Sequence, residues 1–521
     1  MTTDPPTISE LTAQLEQSRL AESANNRRQD VLPQVPLVIG LNTIDEQHHV
    51  LIHYLPQIAR FMTRRQLLRL MMVSKQWAEV IEHVLWEQPY FGGETLSALA
   101  SFQKFLNCLS IARLSTRNYV KVISVNKVQE TFYESVEENW LHKLLTQLPQ
   151  LQTLDLRGCD FLNGTVVRMV GSGGRIPRSP TSPRSPTSPG QPAFLNTQVT
   201  VLDISYCFNL NEAAVKTLAN YFPNLKRLIL ANTSGVSDAS VGQLVYDCDR
   251  LISLSIASPK MNNLTNDTAI TIAKFCSIRL KELDLSAVQG ITDVGIAMIA
   301  KYCVKLEWVS LSKCRHITDK GIVTLVQGCH NTLQYLNLTD CHGFQQPFVT
   351  LPAIGKAATE LRSLSLSFSA LDIPRLLEKR AQDMHSTSDP VNYTYNSAKH
   401  GSFFSVLNHF TSLKHLILHG IPDFTPMAFL TDLVEACPSL SVVTIYRGYF
   451  EDDFIGGSYA RVGGRDSMFT SYDSDADKMV SGTAYVTDKT LHEWNRAHGS
   501  QCYFHLVLEK EHREKTEMSN W

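Results

Sequence analysis

Two cysteine–histidine groups are the first candidates for chemistry. Cys314-Arg315-His316 and Cys341-His342 recur at matching places, and Cys303 and Cys329 recur upstream of them. Zinc needs four nitrogen or sulfur ligands converging at about 2.0–2.3 Å. Residues at equivalent positions of a repeat stack as a ladder, which offers no tetrahedron. The expected role is structural: a thiol is small and apolar enough to fill a turn. No histidine is tied to a cysteine by a motif, so a thiol nucleophile has no base. The two Ile-Thr-Asp-x-Gly phrases, Ile291 to Gly295 and Ile317 to Gly321, each bring one carboxylate to a turn. Calcium takes about 6–8 oxygens, so these residues are expected to cap helices, with Thr292 and Thr318 as N-caps. A phosphate loop, Gly-x-Ser-x-Gly, His-Glu-x-x-His and Cys-x-x-Cys are all missing from the sequence. The expectation is a protein that is not an enzyme and holds no cofactor or metal.

One tract holds four serines that precede prolines: Ser179, Ser182, Ser185 and Ser188. The tract is either a spacer or a set of sites for proline-directed kinases. Each phosphate would add roughly −1.5 to −2 charge near Arg175, Arg178 and Arg184.

The elements that must position these residues repeat. Leu280-x-x-Leu283-x-Leu285 returns as Leu306-x-x-Val309-x-Leu311 and as Leu333-x-x-Leu336-x-Leu338, at steps of 26 and 27 residues. That period and phrase mark a leucine-rich repeat. The last two apolar residues of each phrase alternate, so they share one side of a short strand. Ile296, Ile299 and Ala300 then fall at helical spacing. One strand–turn–helix unit cannot cover its own apolar face, so units must stack. The expected fold class is α/β: a solenoid with a parallel sheet on its concave face and helices outside. Further starts fall at Leu151, Val199, Leu225, Leu251, Leu361, Leu413 and Leu440. Val120-x-x-Ile123-x-Val125 is a candidate first strand, and Tyr503-x-x-Leu506-x-Leu508 a candidate last one.

Between these units the composition changes. Residues 1–43 read as a disordered segment, 44–91 as a small helical domain, and 92–150 as a lead-in with the first repeat. The repeats run over 151–445. They are interrupted by a Ser-Pro loop at 171–192, disordered because its composition cannot build a packed core, and by an insertion at 383–400. A mobile loop is expected at 446–483, and a terminal repeat with a charged tail at 484–521. Net charge is −2 and the sequence pI near 6.8, so there is no global pull toward nucleic acid or anionic membrane. No apolar run reaches the ~18 residues of a membrane helix, and no signal peptide is evident. Eleven cysteines, mostly at repeat positions, are expected to be reduced, in a cytoplasmic or nuclear protein.

Residues 44–91 hold apolar residues at helical spacing in three short blocks broken at Thr63 and near Ser74. Such a unit buries little area and needs support. Gln66-Leu67-Leu68-Arg69-Leu70-Met71-Met72-Val73-Ser74-Lys75-Gln76-Trp77, followed by Leu85-Trp86, resembles the F-box. The resemblance implies docking on a Skp-type adaptor, and through it a cullin, with Leu67, Leu68, Leu70, Val73, Trp77 and Trp86 making the contact. An F-box followed by cysteine-containing leucine-rich repeats is similar in architecture to substrate receptors of SCF-type ubiquitin ligases. There the repeats hold a protein substrate and the chemistry occurs in trans. On the concave face the outward strand positions include Arg227, Trp308, Tyr335, His415 and Tyr446, and these are the expected substrate contacts. Trp308 and Tyr335 occupy adjacent rungs, and exposed aromatics in a groove are common binding anchors. The alternative is a repeat scaffold with no ligase link, its N-terminal helices serving only as a cap.

Overall fold

The computed structural model of the 521-residue chain describes residues 53–59, 61–92, 97–130, 135–172, 196, 198–258, 263–367, 405–421, 427–447, 488–498 and 502–507. The expectations for residues 1–43, the Ser-Pro sites, the 383–400 insertion, 448–483 and the charged tail lie outside these. The chain divides into two compact units, Met1–Trp86 and Glu87–Trp521.

The first unit holds helical residues 53–59 and the helices Arg64–Leu70 and Lys75–Glu87. Thr63 opens Arg64–Leu70 with a capping box. Its hydroxyl accepts from the Gln66 amide, and Gln66 Oε1 accepts from the Thr63 amide at 2.8 Å. Leu55, Ala59, Leu67, Trp77 and Ile81 form the core, flanked by half-buried Leu70, Val84 and Leu85.

The second unit is a leucine-rich-repeat solenoid. Its twelve strands form one sheet in strict chain order, every neighbouring pair parallel. They are β1 (Val122–Ser124), β2 (Thr153–Asp155), β3 (Val201–Asp203), β4 (Arg227–Ile229), β5 (Ser253–Ser255) and β6 (Glu282–Asp284). Then come β7 (Trp308–Ser310), β8 (Tyr335–Asn337), β9 (Ser363–Ser367), β10 (His415–Ile421), β11 (Val442–Arg447) and β12 (Tyr503–Val507). The middle consensus residue, from Ile123 through Leu283 and Val309 to Phe504, is buried in each. Aromatic residues cover the N-terminal end of this core from within the same unit. Phe102 of the helix Ala98–Leu109 meets Trp140 at 5.8 Å and Phe91 at 5.0 Å between ring centroids.

Three points of register refine the expectations. β2 pairs directly with β3, so the Ser-Pro tract interrupts the repeat without shifting it. β9 likewise pairs with β10, so the interval from Leu361 to Leu413 adds a single strand step and acts as an insertion. The last strand is displaced from the expected phrase. Phe504, not Leu506, pairs with Val443 at the central consensus position, and Tyr503 therefore joins the outward row. In the sequence, Gln501 falls three residues before Phe504, where the phrase calls for leucine, and a bulky aromatic fills the central place.

The phrases after each strand have specific work. Gly158, Tyr206, Asn232, Ala287, Lys313 and Asp340 all take left-handed backbone with φ between 55° and 66°, which is costly for residues other than glycine. The turn they make sends the Tyr206 amide to the Ala231 carbonyl and the Lys313 amide to the Thr339 carbonyl, both at 2.8 Å. The next residue donates back to the preceding repeat. Cys207 Sγ donates to the Leu156 carbonyl at 3.1 Å, Cys314 to Leu285 at 3.2 Å and Cys341 to Leu311 at 2.9 Å. The Thr233 hydroxyl replaces the thiol in the same role, toward Ile204.

The helix-opening aspartates also act between repeats. Asp293 accepts from the Thr318 amide at 2.8 Å and its hydroxyl at 2.6 Å. Asp319 accepts from the Gln345 amide at 2.9 Å and the Thr350 hydroxyl at 2.6 Å. Thr292 caps its own helix by accepting from the Val294 amide. Thr318 makes no such side-chain cap: its amide and hydroxyl both donate to Asp293 of the preceding repeat.

Candidate protein-binding surfaces

The sheet is the scaffold of the concave site. Trp308 and Tyr335 are direct cross-strand partners on β7 and β8, and their rings stack with centroids 4.9 Å apart and planes 5° apart. Neither ring is consumed by the core, because Leu306, Val309, Leu311, Leu333, Leu336 and Leu338 fill it. Burial pushes the Tyr335 hydroxyl up to about 12, helped by the Asp284 carboxylate and Tyr446 and opposed by a hydrogen bond with Asn337. It therefore stays a neutral phenol at physiological pH.

A second stack lies farther along. His419 on β10 and Tyr446 on β11 pair in register, with ring centroids 4.4 Å apart and planes 2° apart. Strands β9 to β12 are five to seven residues long, so they add an outward position that the three-residue strands lack. Burial and nearby His505 depress the His415 pKa, and His415 Nε2 lies 2.8 Å from Thr444 Oγ1. Between the stacks runs β9, whose outward residues are Ser363, Ser365 and Ser367. Ser365 bonds Thr339 at 2.9 Å and Ser367 donates to Asp340 at 2.7 Å. Arg227 stands apart on β4, paired with Glu282 at 2.8 Å.

Sequence reasoning passed over His419 and a polar cluster at the other end of the sheet. Asp155 and Asp203 sit side by side on β2 and β3, both buried, with Arg157 Nε 3.9 Å from one and 3.5 Å from the other. Desolvation raises both carboxyl pKa values, against hydrogen bonds from Ser124 to Asp155 and from Ser205 to Asp203. The repeated Leu-Asp within the consensus phrase was the available signal.

The six expected adaptor contacts divide by burial. Leu67 and Trp77 belong to the small core, Leu70 packs against it, and Trp86 is half-buried. Leu68 and Val73 are turned outward, 52% and 58% exposed, beside Met72 at 86% and Phe61 at 55%. Leu67 and Trp77 thus hold the unit together, since an interior of about five residues cannot spare them. Among the described residues no group of three or more His, Cys, Asp or Glu side chains is placed to hold a metal ion. Burial above all pushes the thiols of Cys207 and Cys341 up to about 12, which leaves them protonated. No described helix is long and apolar enough to cross a membrane.

No protein family and no curated protein sequence matches the chain. A crystal structure of a Rad7 and Elc1 complex in yeast is 13% identical, covering 80% of this chain and 94% of that one with a TM-score of 0.40. The leucine-rich repeat-containing protein LegL7 from Legionella pneumophila is 12% identical, covering 64% and 89%, with a TM-score of 0.36. Likenesses so distant add nothing to what the twelve-stranded parallel sheet establishes by itself: this chain is built as a leucine-rich-repeat solenoid.

Proposed function

We propose that the chain is a non-catalytic substrate receptor of an SCF-type ubiquitin ligase. The first unit docks on a Skp-type adaptor, the concave face holds a protein substrate, and the transfer chemistry occurs in trans. One observation carries this reading: Leu68, Met72 and Val73 are exposed together on a unit with a very small core. An apolar surface of that kind, on a unit that needs support, favours a partner. The solenoid has its own N-terminal cover in Phe91, Phe102 and Trp140, which removes the need for residues 53–86 as a mere cap. The stacked rings of Trp308 and Tyr335 supply the groove anchor on the substrate side. The test is affinity purification from cells with the proteasome blocked, comparing the natural chain with Leu68→Asp/Val73→Asp. The reading expects adaptor and cullin with the natural chain, and substrate alone with the variant. Recovery of neither adaptor nor cullin by the natural chain would leave the scaffold alternative.

A further inference from the structure

The helix C-terminal edge of three consecutive repeats carries a surface that the proposed function does not use. Arg250, Arg279 and Lys305 each directly precede the first consensus leucine of their repeat. β5, β6 and β7 pair in register three residues later, so these cations occupy equivalent places on adjacent repeats. All three are exposed, as are Lys274 and Lys301. Like charges on neighbouring repeats repel one another and are relieved by an incoming anion. Asp247 and Asp249 offset the charge of Arg250, whereas Glu307 is paired with Lys281 at 2.7 Å, so the excess of positive charge lies with Arg279, Lys305, Lys274 and Lys301.

Apolar groups run alongside. Tyr246 is 64% exposed and Ile278 59%, with Tyr302 and Val304 also exposed in the next repeat. The row is continuous across repeats, because Tyr246 meets Phe275 edge to face at 5.4 Å. The ammonium groups of Lys274 and Lys301 lie 5.1 Å from the centroids of Phe275 and Tyr302, so cation and ring present one mixed surface. Exposed apolar groups in such a row mark an interaction site rather than scattered surface residues.

We infer that this edge docks an acidic amphipathic helix of a partner protein, its carboxylates on the Arg250–Arg279–Lys305 ladder and its apolar side on Tyr246, Ile278, Tyr302 and Val304. The charge selects an acidic occupant. The rings and cations would also suit a nucleic acid, but the exposed aliphatic side chains Ile278 and Val304 have no counterpart in such an interface and match an apolar helix face. The site lies away from the sheet, so it can be filled while the concave face is engaged.

The test uses the full chain and a fluorescent helix-forming peptide of about 18 residues, with Glu and Leu spaced to give one acidic and one apolar flank. Control peptides replace Leu by Gln or Glu by Lys. Binding is measured by anisotropy at about 50 mM salt and again at higher salt, where screening weakens it. The expected result is binding of the Glu/Leu peptide, weakened tenfold or more by Arg279→Glu/Lys305→Glu and by Ile278→Ser/Val304→Ser. Lys320→Glu, at an exposed site elsewhere, should leave it unchanged. The neutral pair Arg279→Gln/Lys305→Gln should give a smaller loss with an unaltered melting curve, which separates a binding defect from misfolding. The inference is overturned if the Glu/Leu peptide does not bind, if the Gln control binds equally well, or if the edge variants bind like the natural chain. It is also overturned if the edge variants lose binding to anionic phospholipid vesicles or oligouridine RNA while the peptide is indifferent to them.

Discussion

At Gly321 a single methyl group decides whether two repeats can approach. An added Cβ there would lie 2.2 Å from Asp293 Oδ1, the oxygen that accepts from the Thr318 amide. Gly321→Ala should therefore cost about 1–3 kcal/mol, the range for overpacking a tight contact. Gly242→Ala is the matched control. Its nearest neighbour, Thr271 Cγ2, is 3.7 Å away, and replacing a helical glycine there should be neutral or stabilising by up to about 1 kcal/mol. Urea melts of the two variants check both signs. The acid pair gives a second expectation at this scale. Asp203 has its pKa raised above the usual 3.8 by burial, with Asp155 adding to the effect and Ser205 and Arg157 opposing it. The folded chain then holds a proton that the unfolded chain releases, so stability falls as pH rises from 3.8 through the folded pKa. Asp203→Asn keeps the acceptor oxygen that the Ser205 amide uses and removes the titration. It should flatten that decline and leave the chain at least as stable at pH 7, as thermal melts across pH would show. The Ile-Thr-Asp-x-Gly phrase was readable as a helix start from its residue types. That its carboxylate serves the following repeat was not, because the partner is 25 residues away at Thr318 and only stacking brings it near.

Among the elements, the short strands were the most legible, because Leu-x-x-Leu-x-Leu has one meaning wherever it repeats. The final strand shows where the phrase stops helping. Gln501 breaks the first position, and Tyr503 and Leu506 imitate the pattern two residues late, so only the pairing of Phe504 with Val443 fixes the register. His419 was missed for a related reason: the phrase is six residues long, and the outward position beyond it exists only in the longer strands β9 to β12. The three N-terminal helices were legible as helices. The division of their apolar residues between core and surface was not, because Leu67 and Leu68 are adjacent and only packing tells them apart. The direct pairing of β2 with β3 carries an expectation of its own. Removing residues 173–192 should leave the melting temperature nearly unchanged, since shortening a connection alters its closure entropy by only ~1 kcal/mol or less. A loss of several degrees in a calorimetric scan would mean that the tract contributes packing.

At the scale of the whole molecule, the proposed receptor has two separable ends, and variants should separate them. Trp308→Ala/Tyr335→Ala removes the stacked pair without touching the buried leucines. It should leave the fold and the adaptor in place and weaken substrate capture by ~2 kcal/mol or more per ring, as central aromatic anchors do. The substrate should then accumulate in cells, which quantitative proteomics can read. Unfolding of this variant would mean that the rings serve the core after all.

The receptor role depends most on the adaptor end, and one measurement addresses it directly. Purified full-length chain is titrated calorimetrically with a purified Skp-type adaptor, alongside Leu68→Asp/Val73→Asp. The predicted result is saturable one-to-one binding by the natural chain, and none by a variant whose solenoid melts at the natural temperature because each repeat leans mainly on its neighbours. No binding by the natural chain, or equal binding by a folded variant, would contradict the receptor reading.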